Sequence, residues 1–262
     1  MNKRRFSPSA LDRYASCPRQ FLFADIERRP REERPSPQLV QANAVHHALE
    51  RFFGLRPEER SLDALHQILR SVWPEHRQPD SFSSRDDEIF WGRGALELLE
   101  RFLRCFDADG VSLARERWAS VRLANGFDIY GKIDRVDEAA NDGEIELVDY
   151  KTGKYQLESD DLRHDRAAQV YVLAARNLYR RPVKRVRYLY LRSGEAAEWW
   201  PTEEEVEIAN ASLVSLIDEI ASDGIFEPRP GSACRFCSYK HLCPEQGQVE
   251  LAEFVPIDNL PF

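Results

Sequence analysis

Glu146-Leu147-Val148-Asp149-Tyr150-Lys151-Thr152-Gly153-Lys154 is an apolar run that ends in an acid, skips one residue, places a lysine and breaks at Thr152-Gly153. Alternation on a strand sends Asp149 and Lys151 to one face and Tyr150 to the other. A carboxylate there can hold a hard cation, and a lysine two residues on can reach a water or phosphate oxygen beside it. Taken alone, such a triplet is ordinarily a surface ion pair, so its meaning depends on its partners.

The nearest partner lies across a predicted hairpin. Phe127 to Val136 reads as a strand, and the turn Asn141-Asp142-Gly143 leads from it into the strand that ends at Lys151. Asp134 and Asp149 each lie seven residues from the Asn141-Asp142 centre. Pairing about that centre opposes them, with Cβ atoms about 4.5–5.5 Å apart. Two carboxylates that close repel unless a proton or cation sits between them, and a divalent metal resolves the repulsion. A register slip of one residue would undo the arrangement.

The 262 residues can bury a full core, and 31% charged against 42% apolar residues is the balance of a globular protein. A net charge of -8 excludes a uniformly basic nucleic-acid coat but not a local basic groove. No run reaches transmembrane length, and the basic start at Lys3-Arg4-Arg5 has no apolar stretch after it. A reducing cytoplasm is the expectation, so the five cysteines call for something other than disulfides.

Ser7-Pro8 opens a helix that should stop at Cys17-Pro18. Helices are predicted over residues 38–53, 61–73, 84–106, 161–179 and 202–222, and residues 27–37 read as a loop. Strands are predicted over 111–123 and 127–136, joined at Asn125-Gly126, then up to Lys151, over 183–191 and over 195–200. This order makes one α+β or mixed-sheet α/β domain. Lys151-Thr152-Gly153-Lys154 lacks the spacing of a phosphate loop, and no other stretch supplies one.

Two further constellations carry chemistry. His46 and His47 adjoin on a helix, about 100° apart, so both cannot easily face one metal. Cys234-Arg235-Phe236-Cys237 and Cys243-Pro244 form a C-x2-C-x5-C run, and Cys17-Pro18 can complete a four-thiolate set if the chain ends meet. The residues alone leave zinc and an iron–sulfur cluster both open. Cys105, among Leu98, Leu99 and Phe102, reads as a buried core thiol.

Together these residues resemble the RecB-like branch of the PD-(D/E)XK nuclease superfamily, in its iron–sulfur group of AddB-type nuclease domains and CRISPR-associated single-domain exonucleases. The segment with Leu11, Tyr14, Cys17-Pro18 and Phe21 is similar to that group's N-terminal cysteine segment. Val45-His46 with Leu49-Glu50 is similar to its histidine motif, with Ala42 and Asn43 where a glycine is usual. Gly131-Lys132-Ile133-Asp134-Arg135-Val136-Asp137 and Asp149-Tyr150-Lys151-Thr152-Gly153 match the two acidic motifs. Gln169 stands at the glutamine of the following helix; the usual tyrosine four residues on is Leu173, and Tyr171 is expected to point elsewhere.

The resemblance implies a restriction-endonuclease-like mixed sheet flanked by helices, as a single domain over residues 1–262. It implies Mg²⁺ or Mn²⁺ held by His46, Asp134, Asp149 and the carbonyl of Tyr150, with Lys151 and Gln169 assisting phosphodiester hydrolysis. It further implies a [4Fe–4S] cluster, in preference to zinc, on Cys17, Cys234, Cys237 and Cys243, tying residues 1–25 to 226–245. The expected activity is a DNA exonuclease acting on single strands in repair or recombination. The alternatives are a trimming subunit of a helicase or CRISPR-adaptation complex and a non-catalytic iron–sulfur DNA-binding module. No membrane partner is expected.

Arg180, Arg181, Lys184, Arg185, Arg187 and Arg192, interleaved with Tyr188, Tyr190, Trp199 and Trp200, are candidates for DNA contact. The tail over 246–262 ends Asp258-Asn259-Leu260-Pro261-Phe262, similar to the acidic-apolar tips of bacterial single-stranded DNA-binding proteins.

Overall fold

A computed structural model describes residues 5–30, 36–78, 80–139 and 143–245. The chain begins with a short strand β1 (Arg5–Phe6), helices α1 (Pro8–Ser16) and α2 (Pro18–Phe21), and a π-helical turn (Leu22–Ile26). Three long helices follow: α3 (Pro37–Phe52), α4 (Leu62–His76) and α5 (Arg85–Cys105). Strands β2 (Ser112–Arg122), β3 (Asp128–Glu138) and β4 (Ile145–Lys151) form a meander. Then come α6 (Ser159–Leu162), α7 (Arg166–Tyr179), β5 (Val183–Tyr190), β6 (Glu195–Trp199) and α8 (Glu203–Ser222). Ser7, Ser36, Ser61, Ser84, Asp165 and Thr202 each accept from the main-chain N–H three residues on, which fixes where the longer helices begin.

The single helix expected over 161–179 is two, because Asp165 caps α7 afresh after the short α6. Strand β1 is too short for alternation to reveal; it pairs with Asp128 and Ile129 of β3. The tail over 246–262, the tip of the β3–β4 turn and part of the 27–37 loop lie outside the described residues.

The sheet is mixed. β2 runs antiparallel along the whole of β3. On the other side of β3, β1 pairs at Asp128–Ile129 and β4 at Arg135–Glu138, and among the described residues no strand pairs with β3 between them. β5 lies parallel to β4 and β6 antiparallel to β5, with α7 in the crossover between β4 and β5. Val148, Tyr150 and Leu189 bury against α3, α4 and α5 on one face. Leu147, Val186 and Tyr188 bury against α7 on the other, and a third core joins α1, α2, α8 and β1. Helices therefore cover both faces, as a sheet buried on both sides requires.

Candidate metal centre

The pairing of β3 with β4 ends at Arg135–Val148, and the same register brings Asp134 across from Asp149. At this fork the strands part, and both carboxylates are buried, 9% and 6% exposed. Asp134 Oδ2 accepts the main-chain N–H of Tyr150 at 2.8 Å. His46, from the middle of α3, sets Nδ1 3.2 Å from the same Asp134 Oδ2. Lys151 Nζ lies 3.0 Å from Asp149 Oδ1 and 4.1 Å from the centre of the Tyr188 ring. Strand alternation carries Tyr150 to the opposite face, where its hydroxyl accepts from buried Arg135 at 2.8 Å.

Sequence reasoning passed over Glu116. It sits between the β2–β3 pairs Arg115–Arg135 and Arg117–Ile133, which puts it across from Asp134. Its φ is +46°, a left-handed conformation inside a strand, and that strain re-aims the side chain. Glu116 Oε1 is 3.9 Å from His46 Nδ1, and its carboxylate also contacts Lys132. Ligand atoms of His46, Glu116 and Asp134 lie within 4.8 Å of one another. Counting outward from the Asn125-Gly126 turn could have found Glu116, but the loop is three residues long, with Gly126 at φ +82°, which moves the register by one.

Electrostatics set the acids apart. Burial pushes Asp149 up to about 6, helped by the Asp134 charge and opposed by Lys151. Burial also penalises Asp134, but His46 and the Tyr150 amide outweigh it and hold this carboxyl below its usual range. Burial alone would lower His46; the Asp134 charge and hydrogen bond, with Asp149 and Glu116, raise it to about 8. Lys151 is held above its ordinary value by Asp149 despite desolvation. Such a carboxylate-rich, imidazole-bearing pocket is unbalanced as a set of bare charges, and its hard oxygen donors suit a divalent cation.

Two expectations about α7 change. The Gln169 amide donates to the carbonyl of Arg163 at 2.8 Å, bracing the turn before the helix. Tyr171 does not point away: burial, then the charges of Asp149, Asp134, Asp165 and Glu116, raise its phenol far above the usual value. Its ring lies against Gly131, where an added Cβ would come within 2.6 Å of Cε1. Only glycine permits that approach.

His47 turns from the centre, its Nδ1 3.0 Å from His76 Nε2, as their 100° separation requires. Half of the predicted basic cluster is engaged by acids: Arg181 pairs with Glu138, Arg185 with Glu146 and Glu198, and Arg187 with Glu198. Tyr188, Tyr190 and Trp199 are core residues, and Trp200 alone of that set is exposed. Cys105 is exposed rather than buried, because it falls at the last residue of α5.

Cys17, Cys234, Cys237 and Cys243 line one cavity of about 280 Å³. Burial, then the neighbouring Cys17, Cys234 and Cys243, raise the Cys237 thiol. Main-chain N–H groups of Arg229 and Gly231 donate to Cys17 Sγ (3.5 Å) and Cys234 Sγ (3.3 Å). Arg229 also reaches the carbonyl of Ala15, and Arg19 that of Phe226, so the N-terminal helices and the segment after α8 meet around the thiols.

A mixed sheet with a forked pair of acids, a following lysine and a helical histidine is the architecture of a metal-dependent phosphodiesterase fold. The sequence profile of the PD-(D/E)XK nuclease superfamily matches residues 5–244. The chain belongs to that superfamily. Among solved structures, a protein from Eubacterium rectale named "Putative exonuclease" is similar, at 14% identity and a TM-score of 0.53, over 98% of this chain and 91% of that one. SSO0001 aligns at 15% identity and a TM-score of 0.41 over 93% of this chain and 88% of its own. The comparison with curated proteins returned no match. Among the described residues, no helix is long and apolar enough to cross a membrane.

Proposed function

We propose that the chain is a metal-dependent deoxyribonuclease of the RecB-like branch, acting as an exonuclease on single-stranded DNA. The observation that carries this reading is the contact chain at the fork: Asp134 tied to His46 and to the Tyr150 amide, and Asp149 tied to Lys151. His46, Asp134, Asp149 and the Tyr150 carbonyl would hold Mg²⁺ or Mn²⁺, with Glu116 a further oxygen donor on the β2 side. The ion supplies a water acidified toward neutral pH and charge neutralisation at the phosphate. The chain's own part is to fix the donors and exclude bulk water. Lys151 keeps its proton and donates to the attacking water or a phosphate oxygen, stabilising the charge that develops there. Gln169 acts at one remove, by holding the turn that leads into α7.

The four-cysteine cavity suits a [4Fe–4S] cluster better than zinc. A zinc ion with bonds of about 2.3 Å needs tetrahedral sulfurs about 3.8 Å apart. Zinc ribbons usually present two C-x2-C knuckles to one ion, whereas this chain presents one such pair, with Cys17 and Cys243 outlying. Donation from two main-chain N–H groups is the environment that stabilises cluster sulfur.

End-labelled single- and double-stranded DNA incubated with the protein and Mn²⁺ tests the activity. Progressive mononucleotide release from single strands is expected; no metal-dependent cleavage of any DNA would overturn the reading.

A further inference from the structure

The catalytic groove does not end at Glu116. Along the same hairpin Trp118 pairs in register with Lys132, and Ser120 with Tyr130. Lys132 contacts Glu116, so this strip is continuous with the metal centre. Trp118 stands two residues from Glu116, about 6.6 Å along the strand. The Trp118 and Tyr130 rings are 5.8 Å apart and tilted by 34°. The Arg5 guanidinium lies 4.8 Å from the centre of the Tyr130 ring, and Trp118 is 61% exposed.

The Trp118–Lys132 pair places one residue in each of two depressions. One, of about 460 Å³, is lined by Arg5, Trp118, Ala119, Ser120 and Tyr130. The other, of about 430 Å³, holds His46, Glu116 and Lys132. An exposed aromatic face such as that of Trp118, backed by the half-buried Tyr130, suits an unpaired base with its π-surface free, whereas a paired duplex keeps its bases stacked within. Arg5 supplies a cation for a phosphate backbone running past those rings, and Lys132, held against Glu116, marks the end of the strip nearest the metal centre.

We propose that Trp118 and Tyr130, flanked by Arg5 and Lys132, form a stacking platform for unpaired bases of the DNA strand whose phosphodiester lies at the metal centre. This rests on the nuclease reading above and assigns its single-strand preference to named residues. The β2–β3 hairpin then reads the substrate on one stretch and cuts it on the next.

Full-length protein in a Lys151→Ala background, with Mg²⁺ present, is titrated with a short oligothymidine and with its abasic counterpart of equal length. Trp118→Ala and Tyr130→Ala should each weaken oligothymidine binding by about 5- to 100-fold. The abasic strand should bind Trp118→Ala and Trp118 proteins alike, and Trp118→Phe should recover most of the loss. With Lys151 intact, Trp118→Ala should hydrolyse a small chromogenic phosphodiester at the wild-type rate. Equal losses on both strands, or no loss on oligothymidine, overturn the platform. A Trp118→Ala change that instead converts a dimer to a monomer in sedimentation assigns the surface to a second copy and also overturns it. If wild-type protein hydrolyses nothing while the base-dependent loss persists, the nuclease reading fails and the platform stands.

Discussion

The Asp134 carboxylate is tied by a 2.8 Å hydrogen bond to the main-chain N–H of Tyr150, the residue between Asp149 and Lys151. One oxygen, Oδ2, thereby couples the two acidic strands and also faces His46. Asp134→Ala should weaken Mn²⁺ binding by more than about 100-fold, beyond the usual cost of losing an outer-shell partner. Calorimetric titration measures this, and affinity within tenfold of wild type would remove Asp134 from the ligand set.

The metal-free protein should lose stability as pH rises, and the stabilisation gained from added metal should grow. His46 is raised from its ordinary value to about 8, so the stability it contributes is complete below about pH 6.5 and is lost as pH rises through 8. Asp149, raised to about 6, adds a loss in the same direction between about pH 4 and 6. Metal-free protein should therefore melt at lower temperature at pH 8.5 than at pH 6.5. Metal needs His46 neutral and both acids ionised, so the melting-temperature gain on adding Mn²⁺ should grow over that range. Thermal scans with and without metal at the two pH values check both signs.

Gly131→Ala should destabilise the fold by about 1–3 kcal/mol, because the new methyl group meets the Tyr171 ring at 2.6 Å. Shortening Tyr171 to leucine should restore part of that loss, giving a favourable coupling in a double-mutant cycle. Urea unfolding of the four proteins measures the coupling; additive effects would mean that the ring does not set the requirement for glycine.

Protein purified without oxygen should carry four irons and four sulfides on Cys17, Cys234, Cys237 and Cys243 if the cavity holds a cluster. Cys17→Ser should lower iron content and loosen the N-terminal helices from the segment after α8, which Arg19 and Arg229 otherwise bridge. Iron analysis with limited proteolysis reads both effects. Stoichiometric zinc in place of iron would assign the thiols differently.

Much of the centre was legible because it depends on local rules. The Asn141-Asp142 centre alone predicted the Asp134–Asp149 opposition, since hairpin pairing is a matter of counting. His46 and His47 separated as helical geometry requires. What escaped depended on tertiary detail. Glu116 turns on a left-handed residue within a strand, which no propensity reveals. Tyr171 faces the acids because Gly131 lets β3 approach α7. Arg181, Arg185 and Arg187 read as a basic surface until the neighbouring strands supplied Glu138, Glu146 and Glu198. Tyr188, Tyr190 and Trp199 are buried beneath α7 and α8, whereas the exposed Trp118 lies on β2.

The most direct test of the account is Lys151→Ala assayed for Mn²⁺ binding and for DNA cleavage in the same preparation. The account predicts metal affinity within a few-fold of wild type and a cleavage rate lower by about 10²–10³. Wild-type cleavage by that variant would contradict it.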